Sequence, residues 1–172
     1  MLFVERVKNY FLNPKVNDLL VFEATNKNVD SYEWIEKNKF LLEDHILKHG
    51  GVLLRNFNIY SVSEFNRFFQ IVCPTLLDYV YRSTPKTKLE GKIYTATEYP
   101  SNRSIPLHNE NTYSFSWTQK IIFYNSIVAS KNGETLIADS RKIYQKLDPW
   151  ITLMAHGRKS YQGERKIVVA MS

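Results

Sequence analysis

His108 and Glu110 are the two residues of this 172-residue chain whose types and spacing point most directly to chemistry. In a β-strand, successive side chains alternate between faces, so both would point the same way and Asn109 would point to the other side. A neutral imidazole nitrogen and a carboxylate oxygen are two of the three ligands in the facial triad that holds Fe(II) with open positions. The pair indicates a partial metal site; an ordinary surface strand is the competing interpretation.

The pair belongs to the core of five blocks of sequence. This core is Leu107-His108-Asn109-Glu110, followed by residues 133–141 and Tyr144. The earlier blocks are residues 49–57, 61–65, 81–85 and 94–100. Together, and in this order, the five blocks resemble the taurine dioxygenase and clavaminate synthase-like (TauD/TfdA) superfamily of Fe(II)- and 2-oxoglutarate-dependent oxygenases. The blocks look most like members that hydroxylate amino-acid units during peptide natural-product assembly.

The resemblance implies a role for three residues. His108 and Glu110 would be the first two iron ligands, and the hydroxyl of Thr135 would donate a hydrogen bond to a carboxylate of the co-substrate 2-oxoglutarate. Taken without the resemblance, Thr135 is interpreted as a β-branched strand residue after a turn. The chain has Asn132-Gly133 where the family commonly has two glycines, and asparagine tolerates positive φ better than most residues.

The family's distal iron-binding histidine and the arginine that pairs with the far carboxylate of 2-oxoglutarate find no match in this sequence. His156 follows His108, but its basic surroundings are interpreted as a solvated tail. From about residue 150 the resemblance ends, so residues 150–172 are interpreted as a divergent tail. We expect one partial oxygenase domain over residues 1–172, truncated or frame-shifted and inactive by itself.

Candidate substrate contacts lie near the metal pair, and each is equally compatible with a structural role. They are Thr97, Glu98, Asn109, Asn111 and Tyr113. The resemblance implies hydroxylation of an amino-acid substrate, either free or bound to a carrier protein. Two alternatives stay open: a non-catalytic remnant or binding module on the oxygenase scaffold, and a site for another divalent metal with a structural or regulatory role.

Composition narrows the class of protein. With 44% hydrophobic and 14% aromatic residues, the chain can bury a core of one domain. The net charge of +6 is scattered, and without nucleic-acid-binding motifs it favours an acidic carrier protein over nucleic acid. The single cysteine, Cys73, excludes an internal disulfide and is interpreted as a buried residue at a helix end. No signal peptide or apolar run of membrane-spanning length is present, so we expect a cytoplasmic protein with no membrane partner.

Hydrophobic spacing predicts the elements in the first half of the chain. Residues 31–49 carry apolar side chains near helical spacing, and Gly50-Gly51 supplies a stop. Residues 52–54 are then a short buried strand. Ser61-Val62-Ser63-Glu64 is a capping box, which begins a helix with core phenylalanines.

Strands dominate the predictions for the second half. They cover residues 89–97, the His108–Glu110 pair and residues 120–128, and a last helix covers residues 140–147. Helices early and strands later predict an α+β chain. The resemblance implies a double-stranded β-helix, or jelly roll, with flanking helices and an incomplete C-terminal end. Strands without partners expose open edges, so we expect self-association through them.

Overall fold

The computed structural model describes residues 6–16, 19–78, 86–96, 100, 103–109, 118–127, 130–131, 135–151 and 167–171. The strands in these ranges are β1 (Val7–Phe11), β2 (Leu20–Ala24), β3 (Gly51–Arg55), β4 (Lys88–Glu90), β5 (Ile93–Tyr94), β6 (Lys120–Tyr124) and β7 (Ile167–Met171). The helices are α1 (Ser31–His49), α2 (Val62–Val72) and α3 (Ser140–Tyr144).

Five of the strands form one sheet in the order β1-β2-β3-β7-β6. β1 runs antiparallel to β2, whereas the pairs β2–β3, β3–β7 and β7–β6 are parallel. β4 and β5 form a separate antiparallel pair. The described residues therefore confirm a chain of mixed helices and strands, and the jelly roll stays a prediction.

α1 has the bounds predicted from the sequence, because local signals define both of its ends. The carboxylate of Asp30 accepts hydrogen bonds from two backbone N–H groups of the first turn. Gly50 ends the helix in the left-handed region, at φ 82°, and its N–H donates to the carbonyl of Ile46 at 2.8 Å. Ile35, Leu42 and Ile46 lie on the face that packs into the core.

α2 confirms the predicted capping box. The hydroxyl of Ser61 accepts a hydrogen bond from the N–H of Glu64 at 3.1 Å, and the carboxylate of Glu64 accepts one from the N–H of Tyr60 at 2.8 Å. Phe65 and Phe68 are buried, as predicted. Cys73 caps the C-terminal end of α2, where it is half-buried and burial raises the pKa of its thiol.

The core lies between the two long helices and one face of the sheet. Alternate residues of the central strands supply that face, because side chains in a strand alternate between sides. The main buried residues are Leu20, Phe22, Val52 and Leu54 from the sheet and Ile35, Leu42, Ile46, Phe65 and Phe68 from the helices. The rings of Phe65 and Tyr124 stack with centroids 4.9 Å apart, which packs β6 against α2.

Three predictions about the second half of the chain need correction. The predicted strand over residues 89–97 is interrupted by a turn at Gly91, whose φ of 55° favours glycine. The predicted strand over residues 120–128 ends at Tyr124, and the predicted helix over residues 140–147 ends at Tyr144. Within the predicted tail, residues 167–171 form β7. No described helix is long and apolar enough to cross a membrane.

Candidate functional site

His108 lies in an irregular, exposed segment, residues 104–109. The strand predicted around it is not formed by these residues, and Pro106 offers a reason, because proline has no N–H for a strand ladder. The Nδ1 atom of His108 lies 2.8 Å from the carbonyl oxygen of Pro106. A carbonyl only accepts, so Nδ1 carries the hydrogen and Nε2 is the nitrogen that would bind a metal.

Asn109 links this segment to α3. Its side-chain oxygen accepts a hydrogen bond from the hydroxyl of Ser140 at 3.3 Å. The sequence offered Asn109 as a substrate contact. The structure gives it a contact that joins two segments separated by 31 positions in the chain.

Thr135 begins the described segment that leads into α3. It is exposed and lies in no strand, so the alternative interpretation of Thr135 as a strand residue is wrong, and its contact with 2-oxoglutarate stays a prediction. Asp139 follows four residues later as the N-cap of α3 and accepts a hydrogen bond from the N–H of Arg141 at 2.9 Å. The side-chain hydrogen bonds from Arg141 hold the pKa of the Asp139 carboxyl below its usual range, and Asp139 in turn raises the pKa of Arg141.

The guanidinium of Arg141 joins α3 to the C-terminal end of α1. Its Nη1 and Nη2 atoms donate to the carbonyl oxygens of Leu47 and Lys48, at 3.0 and 3.3 Å. Sequence reasoning assigned no role to Arg141. The signal that could have found it is Asp139 directly before a helical segment, since aspartate is a preferred N-cap residue.

The other predicted site residues lie outside the described residues. They are Glu110, Thr97, Glu98, Asn111 and Tyr113. Among the described residues, no three His, Cys, Asp or Glu side chains cluster in a way that could hold a metal ion. The structure thus places His108, Asn109 and Thr135, and the metal pair of His108 and Glu110 stays a prediction.

A cavity of about 510 Å³ opens at the carboxyl ends of β2, β3 and β6. Its lining includes Lys27, Asn58, Tyr60, Tyr124 and Asn125. The side chain of Asn58 connects two loops by hydrogen bonds. It donates to the carbonyl oxygen of Lys27 at 2.9 Å and accepts from the Tyr60 hydroxyl at 2.8 Å. Of the predicted site residues that the structure describes, His108, Asn109 and Thr135, none lines this cavity.

Two known proteins are similar to this chain over part of their length. The dapdiamide synthesis protein DdaC of Enterobacter agglomerans is 38% identical over 106 residues, which are 61% of this chain and 32% of that protein. A clavaminate synthase-like protein of Arabidopsis thaliana is 31% identical over 113 residues, which are 66% of this chain and 34% of that protein. The chain spans about a third of the length of these curated relatives.

No solved structure matches the chain at a comparable level of significance. The family described as "Taurine catabolism dioxygenase TauD, TfdA family" matches residues 15–150. That stretch is most of the chain and includes His108, Glu110 and Thr135. The chain therefore belongs to the TauD/TfdA family.

Proposed function

We propose that this chain carries part of an Fe(II)- and 2-oxoglutarate-dependent oxygenase that hydroxylates an amino-acid-type substrate, free or bound to a carrier protein. The observation that supports this most is the family match, because it spans the stretch with His108, Glu110 and Thr135. DdaC is named as a dapdiamide synthesis protein. That name favours a biosynthetic substrate for this chain as well.

The donor chemistry of the candidate site suits the proposed metal. The Pro106 carbonyl favours the hydrogen on Nδ1 of the neutral His108 ring, so Nε2 is the nitrogen that would bind the metal, as in other histidine ligands held by a carbonyl. Glu110 would add a carboxylate oxygen. The hydroxyl of Thr135 would orient 2-oxoglutarate by donating to one of its carboxylates without adding a charge that competes for the metal.

When bound, Fe(II) and 2-oxoglutarate would supply the oxidising power for hydroxylation of a C–H bond by dioxygen, with succinate and CO2 as the other products. The chain's own residues would bind and orient these groups. The fold that we propose around them is the family's jelly roll. Two protein ligands hold a metal weakly, so we propose that the 172 residues alone bind Fe(II) without turnover.

Metal binding by the 172-residue chain tests the assignment of the site. An anaerobic titration with Co(II), followed by its visible absorption and repeated with Fe(II), should show weak binding. We expect His108→Ala to lower the affinity by at least about tenfold, since loss of a ligand exceeds loss of a supporting contact. His156→Ala is the matched control, and it should bind as the unchanged chain does.

Equal binding by His108→Ala and the unchanged chain would show that the site is assigned to the wrong residue. Weaker binding by His156→Ala would instead identify His156 as a ligand. Succinate formation that requires Fe(II) and His108 would support the oxygenase and contradict the proposed inactivity of these 172 residues. Metal binding that depends on His108, without turnover in any longer form of the protein, would favour a binding or regulatory module.

A further inference from the structure

We infer that Asp139, Ser140 and Arg141, together called the clip, are positioning residues that hold the segments carrying His108 and Thr135 against the C-terminal end of α1. This inference rests on the proposed function for the roles of His108 and Thr135. The contacts that carry it are hydrogen bonds among described residues.

The first part of the clip is the guanidinium of Arg141. The last carbonyl groups of a helix have no partner within the helix, and a cation there is favoured by the helix dipole. Arg141 supplies both a hydrogen-bond donor and a positive charge there, because its guanidinium donates to the carbonyls of Leu47 and Lys48. The approach is close, because a Cβ atom at Gly50 would lie 3.1 Å from Nη2 of Arg141.

The second part is the carboxylate of Asp139. It accepts hydrogen bonds from Nε of Arg141 at 2.9 Å and from Nη2 at 2.8 Å. This bidentate pairing fixes the plane of the guanidinium. The side chain of Asp139 is 15% exposed and that of Arg141 is 38% exposed, so water screens the pair only partly. Asp139 thus orients Arg141 and caps α3 with the same carboxylate.

The third part connects the clip to the candidate site. Ser140 donates to Asn109, the residue directly after His108. Thr135 precedes Asp139 by four residues, so at about 3.5 Å per residue it lies within about 14 Å of the clip. The clip therefore touches the segment of the first proposed metal ligand and begins a short connection to the proposed 2-oxoglutarate contact.

Secondary structure and burial do little to fix the described residues of the two segments. Residues 104–109 and 135–138 are exposed and lie in no helix or strand of the described structure. Neither a strand ladder nor burial fixes their position, which leaves specific side-chain contacts to do so. Loss of the clip should free both segments while the core between the helices and the sheet stays folded.

Backbone order measured by 15N relaxation of the 172-residue chain tests this directly and requires neither metal nor activity. In the unchanged chain, residues 107–109 should be more ordered than an unfolded segment. Ser140→Ala removes one hydroxyl and should lower the order parameters of residues 107–109 while α1 is unaffected. Arg141→Ala should lower the order parameters of residues 107–109, of residues 135–138 and of the C-terminal end of α1. The order parameters of α2 should stay unchanged in both variants.

Ser61→Ala is the matched control, because it weakens α2 and leaves the clip intact. It should lower the order parameters in the first turn of α2 and leave those of residues 107–109 as they are. Two results would overturn the inference: residues 107–109 as mobile as an unfolded segment in the unchanged chain, or unchanged order parameters there in Ser140→Ala. Ser140→Ala keeps the test decisive even where Arg141→Ala does not fold.

Metal titration separates this inference from the proposed function. We expect Arg141→Ala to lower Co(II) affinity several-fold. Arg141→Lys should lower it less, because lysine keeps the positive charge but lacks the planar guanidinium that pairs with Asp139 through two hydrogen bonds. If His108→Ala weakens binding and the Arg141 variants do not, the metal site stands and the clip does not position it. If His108→Ala leaves binding unchanged, the proposed function fails, whereas the relaxation result still decides whether the clip holds its segments.

Discussion

His49 shows how burial can outweigh the preference of a helix C-terminus for a positive charge. It lies in the last turn of α1, where the helix dipole favours a cation. Burial nevertheless lowers the pKa of His49 below 6.5, and nearby cations, among them Lys48, Arg141 and Lys142, lower it further. Its ring stacks on that of His45, with centroids 5.7 Å apart. The neutral imidazole is thus the form that suits the folded chain.

This pKa predicts a dependence of stability on pH. Unfolded His49 takes up its proton near pH 6.5, whereas the folded residue does so only at lower pH. Between pH 6.5 and the lower pKa of the folded residue, proton binding therefore favours the unfolded state. The free energy of unfolding should therefore fall as the pH is lowered from 6.5 through the folded pKa. His49→Phe keeps an apolar ring and removes the titration. Urea denaturation at pH 7.5 and 5.5 should show a smaller loss in this variant, and an equal loss would contradict the assignment, since the other histidines are common to both chains.

The residues of the candidate site show where sequence reasoning stops. The type and surroundings of His108 were enough to nominate it. Its tautomer was not predictable, because that follows from the backbone that brings the Pro106 carbonyl to Nδ1. The contact of Asn109 with Ser140 joins residues far apart in sequence, and no local pattern reports such a pairing.

At the scale of elements, predictability followed the strength of local signals. α1 and α2 were predicted because capping residues and helical spacing mark them. β2 was missed, since its sequence Leu-Val-Phe-Glu-Ala lacks the alternation that identifies a half-buried strand. β7 was missed as well, because its place between β3 and β6 depends on partners distant in the chain.

α2 offers a test of how much a cap contributes to its helix. Ser61→Ala removes the acceptor for the N–H of Glu64 and should lower the free energy of unfolding by about 1 kcal/mol, measured by urea denaturation. Ser61→Thr is the matched control, because threonine also caps helices, and it should retain most of the stability. Equal losses in both variants would show that packing of the serine, and not its hydroxyl, is what matters.

For the whole molecule, the unpaired side of the sheet has the largest consequence. In the described sheet, β6 is a terminal strand whose only strand neighbour is β7, so its other edge presents backbone N–H and C=O groups. The side chain of Phe123 on this strand is 37% exposed. An exposed strand edge with apolar side chains favours pairing with another chain, and we therefore expect the 172-residue chain to self-associate through β6.

Sedimentation velocity over a range of concentrations should detect this association as a sedimentation coefficient that rises with concentration. Phe123→Lys places a charge on the edge strand and should shift the chain toward monomer. Phe40→Lys is the matched control, because Phe40 is 76% exposed on α1 and therefore lies on no strand edge, and this change should leave association intact. If Phe40→Lys reduced association as much as Phe123→Lys, general hydrophobic contact would explain the result. If the unchanged chain were a monomer at every concentration, the edge of β6 would not pair with another chain.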